Sequence, residues 1–126
     1  MKDIFTAPFV EEMKRICSNM YRLGWDERNG GNISYLLDET EVAEYLDLNT
    51  VIRCIPIGFD APTLVGKIFI VTGTGKYFKN VYDDPERNLG IIRIAEGGKT
   101  ANLLWGYSDG GRFTSVTPSS AICEKV

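Results

Sequence analysis

Two asparagines flank a pair of glycines in the run Asn29-Gly30-Gly31-Asn32. An asparagine side chain carries amide donors and a carbonyl acceptor, and glycine lets the backbone adopt positive φ and approach a ligand closely. A turn that directs amides and backbone N–H groups at one point can bind a phosphate or another oxyanion. Asn-Gly is also common in ordinary turns, so these residues alone leave a simple helix-to-strand connection open.

A second group of residues suited to anion binding occupies positions 72–76, Thr-Gly-Thr-Gly-Lys. Its hydroxyls, backbone N–H groups and cation all stabilise phosphate oxygens. The spacing before Gly-Lys differs from that of a Walker motif. Taken alone, the segment is also compatible with an ordinary tight turn that ends in a solvated lysine. Thr114 and Ser115 add a further pair of hydroxyls.

The element before the first group is predicted to be an amphipathic helix. Apolar residues recur at helical spacing over residues 9–23, and charged residues occupy the opposite face. Thr6 is the predicted N-cap, with Pro8 in the first turn. Gly24 is the predicted C-terminal cap. The helix is expected to bury its apolar stripe against a sheet.

Later segments have the composition of β-strands. They are residues 32–37, 51–57, 68–72, 89–94 and 100–105. Pro56 indicates an edge or a strand boundary, and residues 96–99 predict a hairpin turn, which favours an antiparallel sheet. Residues 38–46 are predicted to form a short helix, and the charge of Arg93 is expected to face solvent.

Composition limits the classes of partner. The 126 residues carry a net charge of -3, without the basic footprint typical of nucleic-acid binding. No apolar run has membrane-spanning length, and the first residues do not read as a signal peptide. The cysteines are odd in number and widely spaced, as expected of thiols in a reducing compartment. We therefore predict a cytoplasmic protein without a nucleic-acid or membrane partner.

The chain contains no histidine. A Ser-His-Asp triad, a Cys-His pair and a His-ligated zinc site are therefore excluded within this chain.

Residues 25–32, Trp-Asp-Glu-Arg-Asn-Gly-Gly-Asn, resemble the signature of the rhamnulose-1-phosphate aldolases, a family of the class II aldolase/adducin superfamily. Residues 69–78, 88–91 and 104–115 follow in the order that this family uses. The similarity extends from about residue 9 to residue 115, and the chain is similar to the N-terminal part of the family only.

The resemblance implies an α/β fold in which a central, mainly antiparallel sheet is flanked by helices, as in the α/β/α class II aldolases, and which is incomplete here. Residues 1–126 are accordingly predicted to be a single, truncated domain. The resemblance also implies residues that bind the substrate phosphate. They are Asn29, Gly31, Asn32, Thr74, Gly75, Thr114 and Ser115.

The activity implied by the resemblance is that of an aldehyde-lyase, the reversible cleavage of L-rhamnulose 1-phosphate to dihydroxyacetone phosphate and L-lactaldehyde. Full-length members are expected to hold zinc through three histidines and to transfer a proton through a Glu directly after the Thr-Ser pair. Val116 occupies that Glu position. No catalytic residue, metal ligand or cofactor is therefore expected in this chain, which should be inactive alone. The apparent truncation also predicts an exposed apolar sheet face, unless the chain self-associates or the missing helices are replaced.

The expected partner is a small sugar phosphate, recognised through its dihydroxyacetone phosphate moiety, and the resemblance implies a homo-oligomer, a tetramer in relatives. One alternative is a non-enzymatic module of the adducin-like fold, which binds a sugar phosphate or assembles with a partner. An unrelated small anion-binding protein is the third interpretation.

Overall fold

An antiparallel sheet of five strands forms the centre of the molecule in the computed structural model, which describes residues 2–22, 33–57, 60, 62–73, 78–81 and 83–111. The strands are β1 (Ser34–Leu37), β2 (Arg53–Pro56), β3 (Ile68–Thr72), β4 (Leu89–Ile94) and β5 (Thr100–Gly106). Their order is β1-β3-β4-β5-β2, and each neighbouring pair is antiparallel. The predicted fold class, an antiparallel sheet with helices, is confirmed.

Helix α1 (Pro8–Arg22) confirms the amphipathic helix and covers one face of the sheet. Val10 and Met13 are fully buried in that core. The helix starts one residue later than predicted, because the carbonyl of Ala7 accepts its first hydrogen bonds, from the N–H groups of Val10 and Glu11 at 3.1 Å.

Thr6 is therefore not the N-cap that the sequence predicts. It ends a 3₁₀ turn (Ile4–Thr6), and its hydroxyl donates to the carbonyl of Asp3 at 2.7 Å. Because this hydroxyl already has a partner in the preceding turn, it does not cap α1. The predicted C-terminal cap, Gly24, lies outside the described residues.

The remaining helices are short. They are α2 (Glu39–Ala43), α3 (Phe78–Val81) and α4 (Pro85–Asn88). The sequence predicts α2, whose N-cap is Asp38. Helices α3 and α4 are not predicted from the sequence. Asp84 is the N-cap of α4, because its carboxylate accepts from the N–H of Arg87.

The hairpin of β4 and β5 contains an irregularity that matters for packing. Ile91 pairs with Trp105 and Ile92 with Leu103, so that β5 carries one extra residue, Leu104. A bulge of this kind turns two successive side chains to the same face. Leu104 and Trp105 accordingly both belong to the core that α1 covers.

Strand β2 lies at the edge of the sheet, as Pro56 predicts. Arg93 is partly exposed, and its charge is paired at the surface. Its guanidinium donates to the carboxylate of Glu39 at 2.8 Å, with 30% of the Arg93 side chain and 57% of the Glu39 side chain exposed.

The second face of the sheet is also buried. Phe69, Val71, Ile92 and Leu103 are at most 2% exposed. Their cluster includes residues from outside the strands, namely Ile57, Leu64 and Tyr107. The exposed apolar face predicted for a truncated domain is therefore wrong, since segments of the chain itself cover these strands. None of the helices in the described ranges has the length and apolar character needed to cross a bilayer.

Candidate functional site

One end of the sheet brings together the strand termini that adjoin the predicted phosphate-binding residues. Ser34, the first residue of β1, pairs with Val71 near the end of β3. Thr72 pairs with Leu89, the first residue of β4. Gly90 pairs with Gly106, the last residue of β5. We call the end formed by these paired residues the site end of the sheet.

Thr72 fixes the chain where it enters β1. The N–H of Ile33 donates to the Thr72 hydroxyl at 3.0 Å, and the Thr72 N–H donates to the Ile33 carbonyl at 3.0 Å. Thr72 is 1% exposed, so these bonds form away from solvent, where they are strong. Asn32 precedes Ile33 directly in the chain. The residue that directly follows the first candidate segment is thus bonded to the end of β3.

Asn88 fixes the chain where it leaves β3. Its carbonyl accepts from the N–H of Gly73 at 2.8 Å. Its buried side-chain amide donates to the carbonyls of Asn80 and Asp84, at 3.2 and 2.7 Å. Asn88 therefore connects helices α3 and α4 to Gly73, which directly precedes Thr74.

The loop after β5 is held by several hydrogen bonds. The N–H of Tyr107 donates to the Leu89 carbonyl at 2.9 Å, and that of Ser108 to the Glu86 carbonyl at 3.1 Å. At the end of the loop, the guanidinium of Arg53 donates to the carbonyl of Gly111. Thr114 follows Gly111 by three residues in the chain.

A cavity of about 320 Å³ opens beside the end of β5. Its lining includes Arg53, Glu86, Trp105 and Ser108. The volume is at the lower limit of small-molecule pockets. A cationic side chain, a carboxylate and a hydroxyl are therefore available beside the site end of the sheet.

The predicted site residues themselves lie outside the described residues. They are Asn29, Gly31, Asn32, Thr74, Gly75, Thr114 and Ser115, together with Val116 at the position of the family Glu. Their roles stay predictions. The structure places the described residues that adjoin the first two segments, Ile33 and Gly73, at the same end of the sheet.

The described residues do not fit the zinc site that the resemblance implies for full-length relatives. Across the ranges that the structure describes, no three His, Cys, Asp or Glu side chains are grouped so that they could hold a metal ion. The chain has no histidine at all.

Sequence reasoning missed the residues that hold these segments, above all Arg53, Asn88 as a connector and Tyr107. Tyr107 follows the last predicted strand and is not singled out by the sequence, yet it is 2% exposed. The available signal was a large aromatic residue directly after a glycine at the end of a strand. Nothing in the sequence singles out Arg53, because its partner is a backbone carbonyl distant in the chain.

The chain is similar over most of its length to curated rhamnulose-1-phosphate aldolases. It is 62% identical over 118 residues to that of Listeria monocytogenes, covering 94% of this chain and 43% of the relative. It is 57% identical over 117 residues to that of Enterococcus faecalis, covering 93% of this chain and 42% of the relative. The chain thus spans less than half the length of these relatives, and the resemblance predicted from its motifs is confirmed.

A solved structure has a related fold. The sugar-phosphate aldolase from Thermotoga maritima superposes with a TM-score of 0.69 at 26% identity, over 90% of this chain and 44% of that one. No family model matches the chain.

Proposed function

We propose that this chain is the phosphate-binding part of a rhamnulose-1-phosphate aldolase. Nearly its whole length is similar to such enzymes, and the similar region covers less than half of their length. One observation carries the proposal: the strand ends that adjoin two of the candidate segments meet at one end of the sheet, together with the end of β5, from which the chain continues toward Thr114. A phosphate has several oxygens and needs donors from several directions. Segments that emerge side by side can supply them.

In this proposal the three segments bind the phosphate group of L-rhamnulose 1-phosphate. After cleavage, this group is the phosphate of dihydroxyacetone phosphate. The proposed donors are amides, hydroxyls and backbone N–H groups. They are the amides of Asn29 and Asn32, the hydroxyls of Thr74, Thr114 and Ser115, and the backbone N–H groups of Gly31 and Gly75. None of these neutral groups is a strong base. Binding a phosphate at a distance from the reacting carbons orients those carbons for cleavage.

The same proposal makes the chain inactive when it is alone. Val116 cannot transfer a proton, and the three histidines expected to hold zinc in full-length relatives are absent from these 126 residues. Proton transfer and stabilisation of the enediolate therefore require groups that this chain does not contain. The proposal also includes a cytoplasmic location, a homo-oligomeric state and a sugar phosphate as the ligand.

Ligand-dependent thermal stabilisation tests the phosphate-binding function. A ligand that binds only the folded chain adds about 2.7 kcal/mol of stability at a concentration a hundred times its Kd. Dihydroxyacetone phosphate and inorganic phosphate should each raise the Tm, and Asn29→Ala should abolish the increase. The control is Glu96→Ala, at an exposed position in the hairpin turn at the opposite end of the sheet, which should retain it. An unchanged Tm of the wild-type chain at millimolar phosphate would contradict the proposal.

The absence of histidine specifically favours one alternative, a module of the adducin-like fold that binds a sugar phosphate without turnover. A retro-aldol assay with L-rhamnulose 1-phosphate and added zinc tests the common expectation of both interpretations, that this chain alone does not turn over. Measurable cleavage would refute it. Restoration of activity when the remaining part of a relative is added would favour the aldolase over the non-enzymatic module.

A further inference from the structure

Tyr107 adopts a conformation that a bulky residue rarely adopts. Its φ is 46°, in the left-handed region. The preceding Gly106 has φ 97°, and a Cβ there would lie 2.1 Å from the carbonyl oxygen of Leu89. Backbone strain of this kind persists only where surrounding contacts hold it, and it is concentrated at functional sites. The chain is thus turned back over the sheet immediately after β5.

The ring of Tyr107 lies directly on Gly90 in β4. A Cβ added to Gly90 would be 2.3 Å from the Cε2 atom of that ring, so the glycine is what allows the ring to cross the strand. Beyond Gly90 the Tyr107 hydroxyl donates to the carbonyl of Val71 in β3 at 3.1 Å. Tyr107 therefore connects the ends of three adjacent strands, β5, β4 and β3.

Val71 belongs to a continuous series of contacts. It pairs with Ser34 in β1, and its neighbour Thr72 holds Ile33 through both side chain and backbone. The next residue, Gly73, is held by Asn88. A displacement of the end of β3 would therefore move the chain on both sides, at the entry to β1 and at the exit toward Thr74.

We propose that Tyr107 is a positioning residue for the phosphate site, because it holds the end of β3 against the ends of β4 and β5. This inference rests on the proposed function, since it concerns the same site. Through the end of β3, Tyr107 supports Ile33 and Gly73, the described residues that adjoin the first two phosphate-binding segments.

Tyr107→Phe tests the inference, because it removes only the hydroxyl and keeps the ring on Gly90. The Kd for inorganic phosphate, measured by calorimetry, should rise about tenfold, the equivalent of one buried hydrogen bond. The matched control is Tyr45→Phe, since Tyr45 is also buried, at 9% exposure, but packs against Phe9 beside α1. Its phosphate Kd should match that of the wild type. An unchanged Kd in Tyr107→Phe would overturn the inference while the proposed function stands.

Amide hydrogen exchange without ligand gives a second, independent readout. In Tyr107→Phe the N–H groups of Ile33 and Gly73 should exchange at least several-fold faster, whereas those of α1 should keep wild-type rates. If the wild-type chain does not bind phosphate, the proposed function fails, and exchange alone decides the inference. Faster exchange confined to the site end would support the coupling through Tyr107. Unchanged or uniformly faster exchange would overturn it.

Discussion

Thr72 shows how a single hydroxyl can hold the chain next to a candidate binding segment. It ends β3, whose other residues, Ile68 to Val71, are apolar and buried. A valine of the same shape would pack equally well there, so the hydroxyl is present for its hydrogen bond to the Ile33 N–H at 3.0 Å. Because Thr72 is buried, its hydroxyl contributes to the positioning of the chain and not to solubility.

Thr72→Val should destabilise the chain by about 1–3 kcal/mol, because the buried N–H of Ile33 loses its acceptor. Urea unfolding followed by circular dichroism measures this loss. Thr40→Val is the matched control, since Thr40 is exposed on α2, and it should change stability by less than about 0.5 kcal/mol. Equal stability of Thr72→Val and the wild type would show that the hydroxyl does not hold Ile33.

Gly90→Ala should be strongly destabilising, by about 1–3 kcal/mol or more, because the new Cβ would overlap the Tyr107 ring. The cause can be isolated with a double-mutant cycle. In the Tyr107→Ala background, where the ring is absent, Gly90→Ala should cost much less. If the stability losses of Gly90→Ala and Tyr107→Ala were additive in urea unfolding, the clash with Tyr107 would be excluded as the cause.

The contact between Gly90 and Tyr107 could not be predicted from the sequence. Each residue is unremarkable by itself, a glycine in a strand and a tyrosine in a polar loop. Their meeting depends on the pairing of Gly90 with Gly106 and on the positive φ of Tyr107. Those are properties of register and backbone, which side-chain periodicity does not reveal.

At the scale of elements, the long periodic segments were predictable and the short ones were not. Helix α1 and strand β3 have enough residues to display their periods. Helices α3 and α4 have four residues each, little more than one turn, so no apolar stripe can develop. They are defined instead by tertiary bonds, such as those of the Asn88 side chain.

The stability of α1 should depend on its buried stripe. Met13→Ala removes a fully buried side chain, and substitutions of this kind cost about 2–5 kcal/mol. Glu11→Ala on the exposed side removes only a surface ion pair with Lys14 and should cost less than about 1 kcal/mol. Chemical denaturation of both variants measures the difference. Comparable losses would mean that α1 is not docked on the sheet.

For the molecule as a whole, the sequence motifs predicted which proteins the chain is similar to, but they did not predict how the faces of the sheet are covered. Similarity to part of longer proteins suggested an uncovered sheet face, yet Phe69, Ile92 and Leu103 are buried. Residues far apart in the chain, Ile57, Leu64 and Tyr107, join that core. Which connecting segments fold over a sheet depends on long-range packing, and composition carries no information about it.

A chain with both sheet faces buried should bind little hydrophobic dye. We expect weak fluorescence of anilinonaphthalene sulfonate in native buffer, because large exposed apolar patches are what the dye detects. Ile92→Asp places a charge in the second core and should increase the fluorescence sharply. Strong fluorescence of the wild-type chain would instead support the exposed face that a truncated domain suggests.

The central claim is that three separate segments form one phosphate site at one end of the sheet. The most direct measurement is a titration with inorganic phosphate, followed by amide chemical shifts in a nitrogen-15 correlation spectrum. The account predicts that the amides of Gly31, Gly75 and Ser115 shift together along one binding curve, while those of the opposite hairpin turn at residues 96–99 do not move. Shifts confined to one segment, or none at saturating phosphate, would contradict it.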